Sequence, residues 1–467
     1  MKNNAKKHDL IKIAGIMVLL TALLTWVIPQ SYFQNGTLTV TEITRIGLFD
    51  FFTYGLLGMY YFTVLVTFIF VLGGFYQVLS KTSAYQKLTD KLAKTFKRKE
   101  ILFVLLVSFI IAAITAVINE YILLLTIVPF IITIIRKMNL DKITAFTTTF
   151  GAILVGVLGS VYSTKIVGNN VNYLLVDYNT LLWAKLAIFG VAFAAFSVFN
   201  VLHIVKTLKA NKKDEQIEDL FETEENTKKA KVWPLVLVLS LFFIIALLAY
   251  LPWESVFKIT WFSDALKAIT EFKVLDEPIF SYILGNVTAF GSWDLFAIQV
   301  LMLITSLIIK IIYKIKFNDF LTAYGEGFKK VGKLVIILLV TYVILEFAVM
   351  FPILPTIVDW FVSLTDKFNV FLSTIAGLFT SLFTVEYQYT VSLIGSYMTT
   401  TFETYKDAIS IMLQSTYGLA GLFAPSSAIL LIGLSYLGIS YKEWMKYIWK
   451  YLLIMFAAII VLMLIIC

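Results

Sequence analysis

Asn119-Glu120-Tyr121 and Val385-Glu386-Tyr387-Gln388-Tyr389 each set a carboxylate inside an otherwise apolar stretch. A charge at the centre of a bilayer costs ~2.5–3.5 kcal/mol on insertion scales, so an acid placed there needs a cation, a proton or water. The chemistry on offer is ion coordination or proton exchange, and Glu120 and Glu386 are the candidate coupling-ion residues, for Na⁺ or for H⁺. The plainer alternative is a pair of neutral glutamates that only tie neighbouring segments together. Glu386 follows Glu120 by 266 positions, and Tyr121 with Tyr387, Asp141 with Asp407, Ile143 with Ile409 and Ser160 with Ser426 keep that offset. Polar breaks duplicated in two halves are the expected mark of a transporter's binding site.

Two further stretches supply polar groups. Gly151, Gly156 and Gly159 loosen residues 143–164, which end in Ser160, Tyr162, Ser163 and Thr164 before Lys165. Residues 408–440 are interrupted by Gln414, Ser415, Thr416, Gly418, Gly421 and Ala424-Pro425-Ser426-Ser427. Where a membrane helix unwinds, freed N–H groups and the positive dipole end suit a substrate carboxylate, while freed carbonyls suit a cation. The candidate substrate-binding residues are therefore Asn119, Tyr121, Ser160, Ser163, Thr164, Asn169, Tyr387, Gln414, Ser415, Thr416, Ser426 and Ser427. Taken singly, each hydroxyl is better explained by a bond back to its own helix. Lys165 reads as a lysine snorkelling to the outer surface rather than as a counter-charge.

These residues need a membrane-spanning scaffold. The chain is 60% apolar and 15% charged, with mean hydropathy +0.87, outside the range of soluble domains. Its apolar runs reach the ~20 residues that cross a bilayer as helix, and strand-like alternation is missing, which argues against a barrel. The expected fold class is an all-α polytopic membrane protein. The net charge of +8 does not point to nucleic acid, because the lysines fall between apolar runs, as the positive-inside rule requires. The single cysteine, Cys467, excludes an intrachain disulfide. No HExxH, cysteine cluster or GxxxxGK[ST] loop is present for metal or nucleotide. No metal beyond Na⁺ and no cofactor is expected, and an enzyme is disfavoured for want of catalytic partners to the glutamates.

The charge pattern orders the spans. The start, with four lysines up to Lys12 before an apolar run, reads as a retained first span rather than a cleaved leader. A loop at 29–51 and a second span at 52–79 follow it, and a further span at 334–350 lies in the second half. Basic residues from Lys81 to Lys99 and at Arg136, Lys137 and Lys142 make both ends of segment 101–135 cytoplasmic. That segment is a tight pair of spans or a re-entrant hairpin; three polar residues are few for an external turn, which favours the hairpin. The expected organisation is a first repeat at 1–205, with hairpin 101–135 and broken helix 143–164. A cytoplasmic linker at 206–232 and a connecting helix at 233–251 follow. The second repeat, 252–467, has hairpin 370–402 and broken helix 408–440. The unpaired connecting helix turns the second repeat upside down. The N-terminus is then cytoplasmic and the C-terminus external, in the plasma membrane.

Glu120–Asn170, and above all Gln414–Lys450 (QSTYGLAGLFAPSSAILLIGLSYLGISYKEWMKYIWK), resemble the YfcC-type permeases. These are relatives of the four-carbon dicarboxylate anaerobic carriers and aminobenzoyl-glutamate transporters of the ion transporter superfamily. Thr25-Trp26-Val27-Ile28-Pro29 is similar to the end of that family's first span. The resemblance implies two inverted repeats, two re-entrant hairpins, a midplane site, a small-molecule substrate, and often a homodimer with elevator motion. It also implies substrates among dicarboxylates, amino acids and acylated glutamates. The chain departs from the pattern at Asn119-Glu120, Val161-Tyr162, Ala424-Pro425 and Val385-Glu386-Tyr387, so substrate identity does not carry over. The function expected is a secondary active transporter of a small carboxylate-bearing solute, an amino acid before a dicarboxylate, driven by Na⁺, H⁺ or exchange. A channel is the lesser alternative.

Overall fold

The computed structural model describes residues 9–34, 37–209, 217, 220–221 and 230–467. The basic start before residue 9 and most of the 206–232 linker lie outside the described residues. Among those described, six helices are long and apolar enough to cross a membrane: Thr63–Ser80, Leu182–Leu208, Trp233–Tyr250, Leu295–Ile312, Phe317–Met350 and Tyr441–Ile466. Shorter apolar helices, Glu100–Thr115, Lys142–Leu158, Val370–Ser381 and Ala428–Leu437, carry or border the polar breaks.

The breaks follow from local chemistry. Helix Glu100–Thr115 stops before Asn119, and Glu120 then caps a short 3₁₀ turn, Tyr121–Thr126, its carboxylate accepting from the Ile122 N–H at 3.2 Å. Pro129 sits in the first turn of the return helix Val128–Lys137, where its missing N–H costs nothing. Asp141 caps the next helix through the Thr144 N–H, and Thr147–Gly151 widen into a π turn before Ala152–Leu158. In the second half Asn369 caps Val370–Ser381 in the same way. Helix Lys406–Gly421 ends ahead of Pro425, Ser427 caps Ala428–Leu437, and Gly438 closes that helix at φ +64°, a left-handed turn open to glycine.

Two crossings organise the core. Thr63–Ser80 runs antiparallel along Phe317–Met350, with Gln77 bonded to Glu326 and Lys330 near one end and the Phe62 ring 3.6 Å from that of Tyr342 at the other. The backbones touch at Gly73 and Gly327, where a Cβ on Gly327 would lie 2.3 Å from the Gly73 carbonyl oxygen. The two broken helices cross at Leu158 and Gly418. On either side, Glu100–Thr115 packs on Ala152–Leu158 and Val370–Ser381 packs on Lys406–Gly421.

Three boundaries differ from the sequence reading. The stretch expected as one span at 52–79 is two helices, Leu48–Tyr61 and Thr63–Ser80, that meet at Phe62. The span expected at 334–350 begins at Phe317, because Asp319, Glu326, Lys329, Lys330 and Lys333 continue the helix beyond its apolar part. The loop expected at 29–51 holds a small antiparallel pair, Ser31–Gln34 with Thr37–Val40. It is too short to show in hydropathy.

Candidate functional site

The two hairpin tips meet. Glu120, Tyr121 and Ile122 of the first tip and Glu386, Tyr387 and Gln388 of the second line one cleft together with Lys165 and Asn169. Lys165 Nζ lies 3.1 Å from Glu120 Oε2. This corrects the reading of Lys165 as a surface lysine: the break after Leu158 turns the chain back onto the first tip, so the ammonium finds a carboxylate. Glu120 is buried. Glu386 is half-buried and takes a 2.8 Å hydrogen bond from the Tyr342 hydroxyl. Among the described residues it forms no ion pair, so the two glutamates, matched in sequence, differ in environment.

At the first break the freed amides are occupied. The N–H groups of Val161, Tyr162 and Ser163 all converge on the carbonyl of Ala116, at 2.8, 2.9 and 3.1 Å. Successive N–H groups arranged in this way form a nest that suits an anion; here the end of the first hairpin arm fills it. Thr164 Oγ1 adds a 3.0 Å bond to Asn119 Oδ1, and the Asn119 side chain donates to the Gly291 carbonyl at 2.7 Å. The amides of Val161, Tyr162 and Ser163 are accordingly expected to exchange with deuterium as slowly as those of Glu100–Thr115, although they lie outside any helix. Loop-like fast exchange would show that the clip is not held.

A buried polar relay joins the halves. Tyr387 donates to Asn170 Oδ1 at 2.6 Å, the Asn170 amide donates to the Ser410 carbonyl at 3.2 Å and lies 3.4 Å from Gln414 Oε1, and Gln414 donates to the Ser160 carbonyl at 3.0 Å. Every link connects a residue of the first half to one of the second.

The second break faces a larger cavity. Its lining includes Tyr121, Leu154, Leu338, Tyr342, Glu386, Tyr417, Ser426, Ser427 and Ile429. Tyr121, Ile122 and Glu386 border both spaces, so the tip residues form the wall between them. The N-terminus of Ala428–Leu437 opens here. Among the described residues the buried Ser426 hydroxyl beside it has no hydrogen-bond partner, a costly state for a polar atom.

The expected site residues divide accordingly. Asn119, Glu120, Tyr121, Thr164, Asn169, Glu386 and Tyr387 gather at the tips, where Lys165 joins them unexpectedly, with Ser426 and Ser427 at the larger cavity. Ser163 and Ser415 are buried with unpartnered hydroxyls but line neither space. The Thr416 hydroxyl bonds back to the Leu413 carbonyl at 3.0 Å and faces Gly377 of the second hairpin arm. The Ser160 hydroxyl lies 3.4 Å from the Gly156 carbonyl. Sequence reasoning passed over Tyr342, Tyr417 and Asn170. A lone tyrosine in an apolar helix carries no signal; Asn170, next to Asn169 after the first break, did carry one.

A family model for the C4-dicarboxylate anaerobic carrier matches residues 8–467, nearly the whole chain. The chain belongs to this carrier family. It is therefore a multi-pass membrane carrier and not an enzyme. No curated protein matches the carrier. Among solved structures, the YdaH transporter of Alcanivorax borkumensis, described as having an unusual topology, is similar at 11% identity and TM-score 0.40, over 98% of the carrier and 97% of that chain.

Proposed function

We propose that the carrier moves an amino acid across the plasma membrane by alternating access, with its N-terminus cytoplasmic and its C-terminus external. One observation carries this reading: a single cavity presents the Glu386 carboxylate and, in the same lining, a helix N-terminus with the unpartnered Ser426 hydroxyl. A zwitterion matches such a pair, its ammonium toward the acid and its carboxylate toward the amides. The remaining lining, with Leu65, Leu125, Leu154 and Leu338, suits an apolar or partly apolar side chain.

The second reading is a dicarboxylate carrier, favoured by the family's description. It asks a dianion to bind beside the Glu386 carboxylate, in a cavity whose lining holds no lysine or arginine among the described residues. Counterflow in proteoliposomes separates the two. Stimulation by amino acids supports the first reading, stimulation by C4-dicarboxylates alone replaces it with the second, and unsaturating conductance would make the protein a channel.

Transport is driven by Na⁺, H⁺ or exchange, and Glu386, without a cation partner, is the first candidate for the coupling ion. Glu386→Gln and Glu120→Gln are each expected to reduce ion-coupled uptake while the protein stays in the membrane, Glu386→Gln the more. Wild-type coupling ratios in both variants would remove the glutamates from the mechanism. The antiparallel pair Thr63–Ser80 and Phe317–Met350, one helix from each half, supports two inverted repeats joined by the connecting helix. Homodimers follow from the resemblance alone.

A further inference from the structure

Helix Phe317–Met350 carries one charge past its lysines. Glu346 is the sole charged residue between Lys333 and Asp359. It stands one turn beyond Tyr342, at the end of the helix away from the bonds that Gln77 makes to Glu326 and Lys330. Glu346 is 6% exposed, so it does not snorkel to headgroups or water. Among the described residues its carboxylate makes no hydrogen bond and no ion pair.

The elements around it bring acids and phenols rather than a cation. Asp50, Tyr54 and Gly58 recur at i, i+4 and i+8 on helix Leu48–Tyr61, and a Cβ on Gly58 would lie 3.8 Å from Glu346 Cγ and 3.9 Å from Tyr342 Cβ. The Asp50 carboxylate accepts from the Gly47 N–H at 2.6 Å. On the second hairpin tip Tyr389 feels the charges of both Glu346 and Glu386, and Tyr342 bonds Glu386. Of the other helices packed on Phe317–Met350, Thr63–Ser80 and Ala428–Leu437 carry only Tyr76 and Tyr436 as ionisable groups. Asp9–Leu24 carries Asp9 and Lys12, and Lys12 is exposed in a groove beside Val340.

A carboxylate so placed can be neutralised by a metal cation or by a proton. Both helices are continuous at Glu346 and Gly58, so their carbonyls are engaged in helical bonds and offer no cage of oxygens to a hard cation. A buried acid without a partner takes up a proton instead.

We propose that Glu346 is a reversible proton-binding site, charge-coupled to Glu386. On loading, the carboxylate takes one proton from the medium, an O–H bond forms and the negative charge disappears. On release the charge returns one turn from Tyr342, which bonds Glu386, so the two acids titrate as a coupled pair. The proposal deepens the coupling role given to Glu386 above and rests on it, but its test needs no solute.

Infrared spectra of the purified carrier in nanodiscs read the site directly. Wild type is expected to show a carboxylic-acid C=O band that disappears reversibly as the medium is made alkaline. Glu346→Gln is expected to lose the Glu346 component of that band. Glu346→Asp, which keeps an acid one methylene shorter, is expected to shift the component, which tells a lost proton from a fault in folding. Glu386→Gln is expected to keep the component but to bleach it over a different pH range. An alkali-sensitive band that Glu346→Gln leaves at full height, or a Glu346 component that no pH removes, overturns the site; bleaching over the wild-type range in Glu386→Gln overturns the coupling. Counterflow with Glu386→Gln judges the role of Glu386 by itself, so the two readings can fail separately.

Discussion

Gly418→Val is expected to leave almost no folded carrier. A Cβ at this position would sit 2.2 Å from Leu158 Cα and 2.6 Å from its nitrogen. Those are backbone atoms of the facing helix, so no rotamer change relieves the clash, and the two broken helices would have to separate. Overpacking that side chains can absorb costs ~1–3 kcal/mol; here the backbone must give way, and the cost approaches the ~5–15 kcal/mol that holds a typical domain folded. Gly421→Ala is the control, since its Cβ would meet only the end of the Leu154 side chain at 3.4 Å. Size-exclusion profiles of the detergent-extracted variants read the outcome. A wild-type monodisperse peak for Gly418→Val would mean that the helices do not cross there.

The second large effect is expected at Lys165. Lys165→Met strands Glu120 as a buried acid with only the Ile122 N–H for company. Removing one partner of a buried pair costs ~3–5 kcal/mol; the Lys165 side chain keeps 42% of its surface and that of Glu120 9%, so the lower part of that range applies. Thermal melting should fall by several degrees, and the double variant Glu120→Gln/Lys165→Met should recover most of the loss, because it removes the unpaired charge as well as its partner. A single variant that melts with the wild type would show that Glu120 does not depend on this lysine.

Much of this architecture was legible in the residues because bilayer energetics are severe. Glu120 and Glu386 stand out in apolar stretches for the reason that no lipid-facing position tolerates them, and both prove to border one cleft. Pro425 and the serines after it announce a broken helix, and the chain breaks there. Less was legible where the decision belongs to a partner. Lys165 looks the same in sequence whether it snorkels or turns inward, and only the fold back onto Asn119 and Glu120 decides. The split at Phe62 is equally silent, since the residues on both sides are apolar and either a kinked or a continuous helix would bury them. Ser163 and Ser415 show the converse: polar residues at the right spacing whose hydroxyls reach neither cavity.

The Ala116 carbonyl has a mechanical consequence. By gripping three amides of the neighbouring break, it rivets the helix Glu100–Thr115 to the first interrupted helix. The Leu158–Gly418 contact and the Gln414 bond to Ser160 then weld that assembly to its counterpart from the other half. That assembly meets the antiparallel pair Thr63–Ser80 and Phe317–Met350 through hydroxyl bonds such as Tyr342 to Glu386 and Tyr76 to the Thr126 carbonyl, so these bonds would have to break before the two could part.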